Sequence, residues 1–110
     1  MRVLLVRHGQ SEWNATRRLQ GQADIALSDQ GRSEARALCE TIAALAPDRA
    51  VASDLIRVHE TAGLIGGPAP VFDPGLREIS VGDWTGRAIS ELMDVEPENY
   101  LGWRAGTFQP

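Results

Sequence analysis

The sequence predicts an α/β fold built on a parallel sheet, and three observations carry that reading. Near the start stands an unbroken apolar run, Val3-Leu4-Leu5-Val6, with no polar residue between its members. That is the pattern of a strand buried on both faces, as parallel strands are. Further short apolar runs then alternate with segments of helical spacing, in the order strand, helix, strand, helix, strand, helix. Such an order is that of βα units. Finally, polar residues capable of chemistry follow the ends of the runs: Arg7-His8-Gly9 after the first, Ser53 to Arg57 after the second, and Glu78 a few residues past the third. Ligands of open parallel sheets bind at that carboxyl edge.

Taken in order, Val3 to Val6 is the first strand. A polar loop from Gly9 to Leu27 follows, containing Gly21. Ser28 is a suitable N-cap for a helix from about Asp29 to Leu45, because its hydroxyl can accept from a free backbone N–H of the first turn. Ala35, Leu38, Ile42 and Leu45 fall at helical spacing as its buried stripe, and Pro47 stops it. Arg49 to Ala52 reads as a second strand. Ser53 or Asp54 then caps a helix to about Ile65, ended by Gly66-Gly67-Pro68. Val71-Phe72 is a third strand, Arg87 to Met93 a helix entered after Gly86, and Glu96 to Gly106 helical in part. No repeat, low-complexity stretch or linker interrupts the chain, so residues 1–110 read as one domain.

Composition excludes several classes. The net charge is -4, so the surface as a whole does not attract nucleic acid, and no basic stripe with interleaved aromatics exists. All 11 basic residues are Arg, so the position of an arginine carries more information than the count. The hydrophobic fraction of 43% is ordinary for a soluble globular chain. Cys39 is the only cysteine, which rules out an intramolecular disulfide and fits a reducing compartment. The first apolar run is too short for a signal-peptide core or a membrane span. The expected setting is therefore cytoplasmic, with no membrane partner.

Three side chains could carry chemistry. A lone histidine is more often structural, but His8 follows a buried strand and lies between an arginine and a glycine at the ligand-binding edge. A neutral imidazole nitrogen there can attack phosphorus and give a covalent phosphohistidine. Arg7 can neutralise the phosphate with a planar fork of donors, and Gly9 lets the backbone come close. Arg57 sits in the first turn of a helix, where free N–H groups and the dipole also favour an anion. Elsewhere it would read as a solvated surface arginine. Glu78 is either a solvated carboxylate or, if desolvated, a proton donor to a leaving oxygen. Trp13, Trp84 and Trp103 read as packing residues, Cys39 as a small buried hydrophobe and His59 as a surface or partner histidine. No cluster has metal-ligand spacing, so no metal and no other cofactor is expected.

Four blocks in one order resemble the histidine phosphatase superfamily, also called phosphoglycerate-mutase-like. They are Val3-Leu4-Leu5-Val6-Arg7-His8-Gly9-Gln10-Ser11-Glu12-Trp13-Asn14; Leu19-Gln20-Gly21 with Asp24 and Leu27-Ser28; Ser53-Asp54-Leu55-Ile56-Arg57 with Glu60-Thr61-Ala62; and Leu76-Arg77-Glu78-Ile79 with Gly82-Asp83-Trp84-Thr85-Gly86. Arg-His-Gly alone would be a weak signal; four ordered blocks are specific and cover essentially the whole chain. The resemblance implies a three-layer α/β fold with a mostly parallel sheet. It implies His8 as nucleophile, Arg7 and Arg57 as phosphoryl holders and Glu78 as proton donor. Ser11, Asn14, Gln20 and Gly21 would line the phosphate or substrate side. The substrate would be a small phosphorylated molecule, and no cofactor is implied. Mutase members carry a longer, tyrosine-containing segment after the acid; here Glu78 is followed by Ile79-Ser80-Val81-Gly82-Asp83-Trp84, which resembles the phosphatase branch.

The chain departs from that family in one respect. Members are about twice as long and bring a second active-site histidine, on a strand between the first two read here. This chain has only His8 and His59. The expected fold is therefore incomplete at its C-terminal end. Its first two strands would pair directly, be completed by a second chain as a homo-oligomer, or pack poorly. Partial exposure and self-association are expected. Three functions follow: phosphomonoester hydrolysis through His8, a phospho-ligand or partner-binding module or inactive fragment, and mutase-type phosphoryl transfer. Arg17 and Arg18 either contact a second anionic group or are merely solvated.

Overall fold

The structure, a computed structural model, describes residues 1–110. In chain order its elements are α1 (Glu12–Ala15), α2 (Asp29–Ala37), α3 (Cys39–Leu45), β1 (Val51–Ala52), α4 (Ile56–Ile65), β2 (Val71–Phe72), α5 (Ile89–Val95) and α6 (Pro97–Ala105). Short 3₁₀ turns occupy Pro74–Leu76 and Gly82–Trp84. β1 and β2 form a parallel pair, Val51 opposite Val71 and Ala52 opposite Phe72, joined by α4 as the crossover a parallel pair requires. α4 packs on β1 and on α2, and α3 packs on both helices. The expected second and third strands are thus present, the second shortened to Val51–Ala52 and the third as Val71–Phe72.

The first strand is a correction. Val3 to Val6 forms no strand, and residues 1–7 make no backbone hydrogen bond. Val3 is 70% exposed and Leu5 94% exposed. The apolar pattern suits a central strand, but a strand exists only through its ladder, and neither β1 nor β2 lies alongside to supply one. The expected partial exposure of the chain is observed here, and in how few residues are buried: 17 of 110.

The helix expected from Asp29 to Leu45 is two helices. Ser28 caps α2 as read, its Oγ accepting from the Gly31 N–H at 3.1 Å. At Leu38 the backbone tightens: its N–H donates to the Ala35 carbonyl, three residues back, before α3 resumes. The resulting turn rotates the stripe, so Ala35 and Ile42 are buried while Leu38 and Leu45 are exposed. α3 ends on Ala46 in a left-handed conformation, φ 47°, since the residue before Pro47 is disfavoured in the helical region. Cys39 is exposed, its Sγ 3.0 Å from the Leu64 carbonyl, rather than the buried hydrophobe expected.

α4 is capped from a distance. Neither Ser53 nor Asp54 caps it; the Ile56 N–H donates to Asp24 Oδ1 of the preceding loop at 2.7 Å. Ser53 is buried and Asp54 is taken by an ion pair with Arg77. At the other end of the chain Val81, Trp84, Leu92 and Tyr100 form a core, with Leu19, Ile89, Trp103 and Phe108 against it. Trp84 stacks on Phe108 at 5.4 Å and meets Trp103 edge-on at 6.0 Å. Trp13 lies against Gly86. The three tryptophans pack as expected.

Candidate phosphoryl-transfer site

The segment bearing His8 is seated on the first turn of α2 by two glycines in contact. A Cβ on Gly31 would stand 2.0 Å from the Gln10 carbonyl oxygen, and one on Gly9 would stand 2.3 Å from the Gly31 carbonyl oxygen. Backbone atoms can come this close only where both side chains are hydrogen. Hydrogen bonds fasten the contact: the Ser28 N–H donates to the Gln10 carbonyl at 2.9 Å, and the Gly9 N–H donates to Thr61 Oγ1 of α4 at 3.1 Å. Helices α2 and α4 together therefore fix the backbone that follows His8.

His8 is half-buried, and its Nδ1 lies 2.6 Å from the Gly9 carbonyl oxygen. A carbonyl only accepts, so this bond requires the proton on Nδ1. In the neutral ring, Nε2 is then the nitrogen with a free lone pair.

Just downstream, Ser11 and Asn14 form a capping box on α1: the Asn14 N–H donates to Ser11 Oγ and the Ser11 N–H donates to Asn14 Oδ1, both at 3.0 Å. Ser11 is fully buried and also donates to Gln20 Oε1 at 2.6 Å. Ser11 thus orients the Asn14 side chain through its backbone N–H and the Gln20 side chain through its hydroxyl.

Arg57 is 1% exposed, so it is not the solvated arginine that a generic reading allows. Its Nη1 donates to the Ala23 carbonyl at 2.8 Å, and its Nη2 donates to the Gly21 carbonyl at 2.6 Å and to Glu78 Oε2 at 3.0 Å. Of the three guanidinium nitrogens only Nε has no partner. Gly21 must be glycine: φ is 50°, and a Cβ would stand 2.9 Å from Val81 Cγ2. Its carbonyl is thereby free to face Arg57.

Glu78 is 46% exposed at its side chain, not desolvated. Its position comes from its neighbours. The Gln22 amide donates to its carbonyl at 3.2 Å, and Arg77 grips Asp54 through two bonds of 2.6 Å. The hydrogen bond from Arg77 holds the Asp54 carboxyl below the usual carboxylate range.

A cavity of about 670 Å³ opens over these groups, lined among others by Arg7, His8, Asn14, Gln20 and Glu78. Five of the eight expected site residues thus share one wall. Arg57, Ser11 and Gly21 stand behind it as supports. His59 does not line it, but lies flat on Phe72 with ring centroids 3.5 Å apart. Sequence reasoning missed the roles of Thr61, Asp24 and Gln10. All three lay within the quoted blocks, but nothing in the local pattern tells that a threonine holds a backbone N–H 52 residues away.

Comparison with known proteins gives the family. The family model of the histidine phosphatase superfamily (branch 1) matches residues 3–110. A glucosyl-3-phosphoglycerate phosphatase of Mycolicibacterium vanbaalenii is 42% identical over 106 residues, covering 94% of this chain and 47% of that protein. A probable phosphoglycerate mutase, GpmB, of Enterobacter sp. is 40% identical over 107 residues, covering 94% and 48%. Among solved structures, a mycobacterial glucosyl-3-phosphoglycerate phosphatase complexed with VO3 superposes with a TM-score of 0.83 at 38% identity, covering 88% of this chain and 50% of that one. The protein TTHB049 from Thermus thermophilus gives 0.81 at 34% identity, covering 96% and 58%. The chain spans about half the length of the curated relatives it matches. With its Arg-His-Gly segment clamped on α2 and its buried second arginine, this chain belongs to the histidine phosphatase superfamily, branch 1.

Proposed function

We propose that the protein hydrolyses small phosphomonoesters through a phosphohistidine on His8. The observation that carries this reading is the bond between His8 Nδ1 and the Gly9 carbonyl, because it leaves the Nε2 lone pair for attack. In the first step Nε2 forms a bond to phosphorus as the bond from phosphorus to the leaving oxygen breaks. Arg7, beside His8 and without a protein partner, takes phosphoryl oxygens, and Arg57 steadies the site from behind the cavity through its bonds to Gly21, Ala23 and Glu78. Asn14 and Gln20, oriented by Ser11, add neutral donors, and Gly21 shapes the loop. Glu78 Oε2 is tied to Arg57, so Oε1 is the oxygen that would carry a proton to the leaving group once bound substrate excludes water from the half-exposed carboxyl. In the second step water attacks phosphorus, the bond to Nε2 breaks, and Glu78 takes the water's proton. Neither step requires a cofactor.

The relatives' names supply the substrate class: a phosphatase and a probable mutase, both of phosphoglycerate-containing molecules. Hydrolysis is favoured over mutase transfer because the segment after Glu78 runs directly into the 3₁₀ turn at Gly82–Trp84. No helix is long and apolar enough to cross a membrane. With a single cysteine left as a thiol, a cytoplasmic setting suits the protein.

Release of p-nitrophenol from p-nitrophenyl phosphate, with a metal chelator present, tests the reading. The expected result is hydrolysis that survives chelation and falls to the blank in the His8→Ala variant. Hydrolysis unchanged by His8→Ala would overturn it. Binding of phosphate without turnover would instead favour a phospho-ligand-binding module.

A further inference from the structure

The cavity over His8 carries arginines beyond the one next to the nucleophile, set against the carboxylates of Glu34 and Glu78. Arg7, Arg17 and Arg18 all line it. The structure separates the last two. Arg18 donates from Nη1 to the Gly86 carbonyl at 2.7 Å, and its backbone bridges Ala88, so it ties the loop to the entrance of α5. The Arg17 guanidinium makes no hydrogen bond and no ion pair. The two carboxylates on the same wall are both engaged: Glu34 accepts from the Gln10 N–H at 2.9 Å, and Glu78 is paired with Arg57. Arg7 and Arg17 therefore line the cavity with no protein partner of their own, beside a Glu78 paired with Arg57 and a Glu34 that accepts only a backbone N–H.

The backbone at Arg17 is also held in an uncommon state. Its φ is 55°, a conformation that L side chains rarely adopt and glycine takes without strain. It is fixed there from both sides. The Arg17 N–H donates to the Asn14 carbonyl at 3.1 Å, and the Ile89 N–H donates to the Arg17 carbonyl at 3.0 Å. Asn14 belongs to the phosphoryl wall, so the position of Arg17 is geared to that wall. Leu19, Leu38 and Ile89 give the cavity apolar surface for a carbon skeleton, and its volume of about 670 Å³ suits an organic ligand rather than bare phosphate.

We propose that Arg17 is a specificity-determining residue that takes a second anionic group, a carboxylate, on the non-phosphate part of the substrate. The inference rests on the phosphatase reading for turnover but not for binding. It is tested with two phosphomonoesters of similar size, 2-carboxyethyl phosphate and propyl phosphate. Turnover is compared in wild-type, Arg17→Gln and Arg17→Lys proteins, and binding is measured by calorimetry in a His8→Ala background with and without Arg17→Gln. The expected result is a preference of about tenfold or more for the carboxylated ester, the size of one charge-assisted hydrogen bond. Arg17→Gln should abolish it through KM, with propyl phosphate unaffected, and Arg17→Lys should restore part. Equal treatment of the two esters by wild type, or a preference that Arg17→Gln leaves intact, overturns the inference while hydrolysis stands. A calorimetric preference that depends on Arg17, without turnover of either ester, upholds the inference and overturns the hydrolytic reading. Binding of neither ester overturns both.

Discussion

Replacing Arg57 by alanine is expected to destabilise the chain by about 3–5 kcal/mol, the range for deleting a buried charged group that satisfies several partners. Arg57 is almost wholly buried and donates to the carbonyls of Gly21 and Ala23 as well as to Glu78. Without it, the carbonyl of buried Gly21 and that of part-buried Ala23 lose their donor. Glu78→Gln should cost about 1 kcal/mol or less, because that carboxylate is half-exposed and its pairing is screened. Denaturant midpoints of the two variants decide the matter. A large cost for Arg57→Ala beside a small one for Glu78→Gln places the energy in the carbonyl bonds; similar costs would place it in the ion pair. Arg57→Ala should also lower activity, since the loop it holds carries Gln20.

Gly31→Ala is expected to destabilise by about 3 kcal/mol, at the upper end of overpacking costs. By helix propensity alone the change would stabilise by about 1 kcal/mol. The sign reverses because the new methyl would stand 2.0 Å from the Gln10 carbonyl oxygen, a backbone atom that cannot turn aside. The segment carrying His8 must lift off α2, so turnover should fall together with stability. Gly63→Ala on α4 is the control: nothing lies within 4 Å of its Cβ position, and it should stabilise by about 0.5–1 kcal/mol. Thermal melts of the pair with opposite signs would confirm that contact, not propensity, governs Gly31.

What the sequence made legible divides along physical lines. Local signals read well. Ser28 is an N-cap and Gly66 ends α4, since each depends on a few adjacent residues. The grouping of the candidate site was foreshadowed by the four ordered blocks, and five of its eight residues line one cavity. Non-local facts were not legible. Whether Val3 to Val6 is a strand depends on a ladder partner, which no apolar pattern contains. The cap of α4 comes from Asp24, 32 residues away, and a local reading assigns it to Ser53 or Asp54. Arg57 looked like a phosphate ligand at a helix start; its burial, and its two bonds to loop carbonyls, add a supporting role that position in a helix cannot reveal. The turn at Leu38, which splits one expected helix into two and exposes Leu45, has no breaker residue to announce it.

The central claim is that His8 becomes covalently phosphorylated. Phosphohistidine is labile in acid and survives in alkali, so the protein would be mixed with a phosphomonoester, quenched in alkali within a turnover, digested and read by mass spectrometry. The account predicts one phosphoryl group on the peptide containing His8, none on the peptide containing His59, and none in the His8→Ala variant. Turnover with no phosphoryl group on His8, or with one on His59, would contradict it.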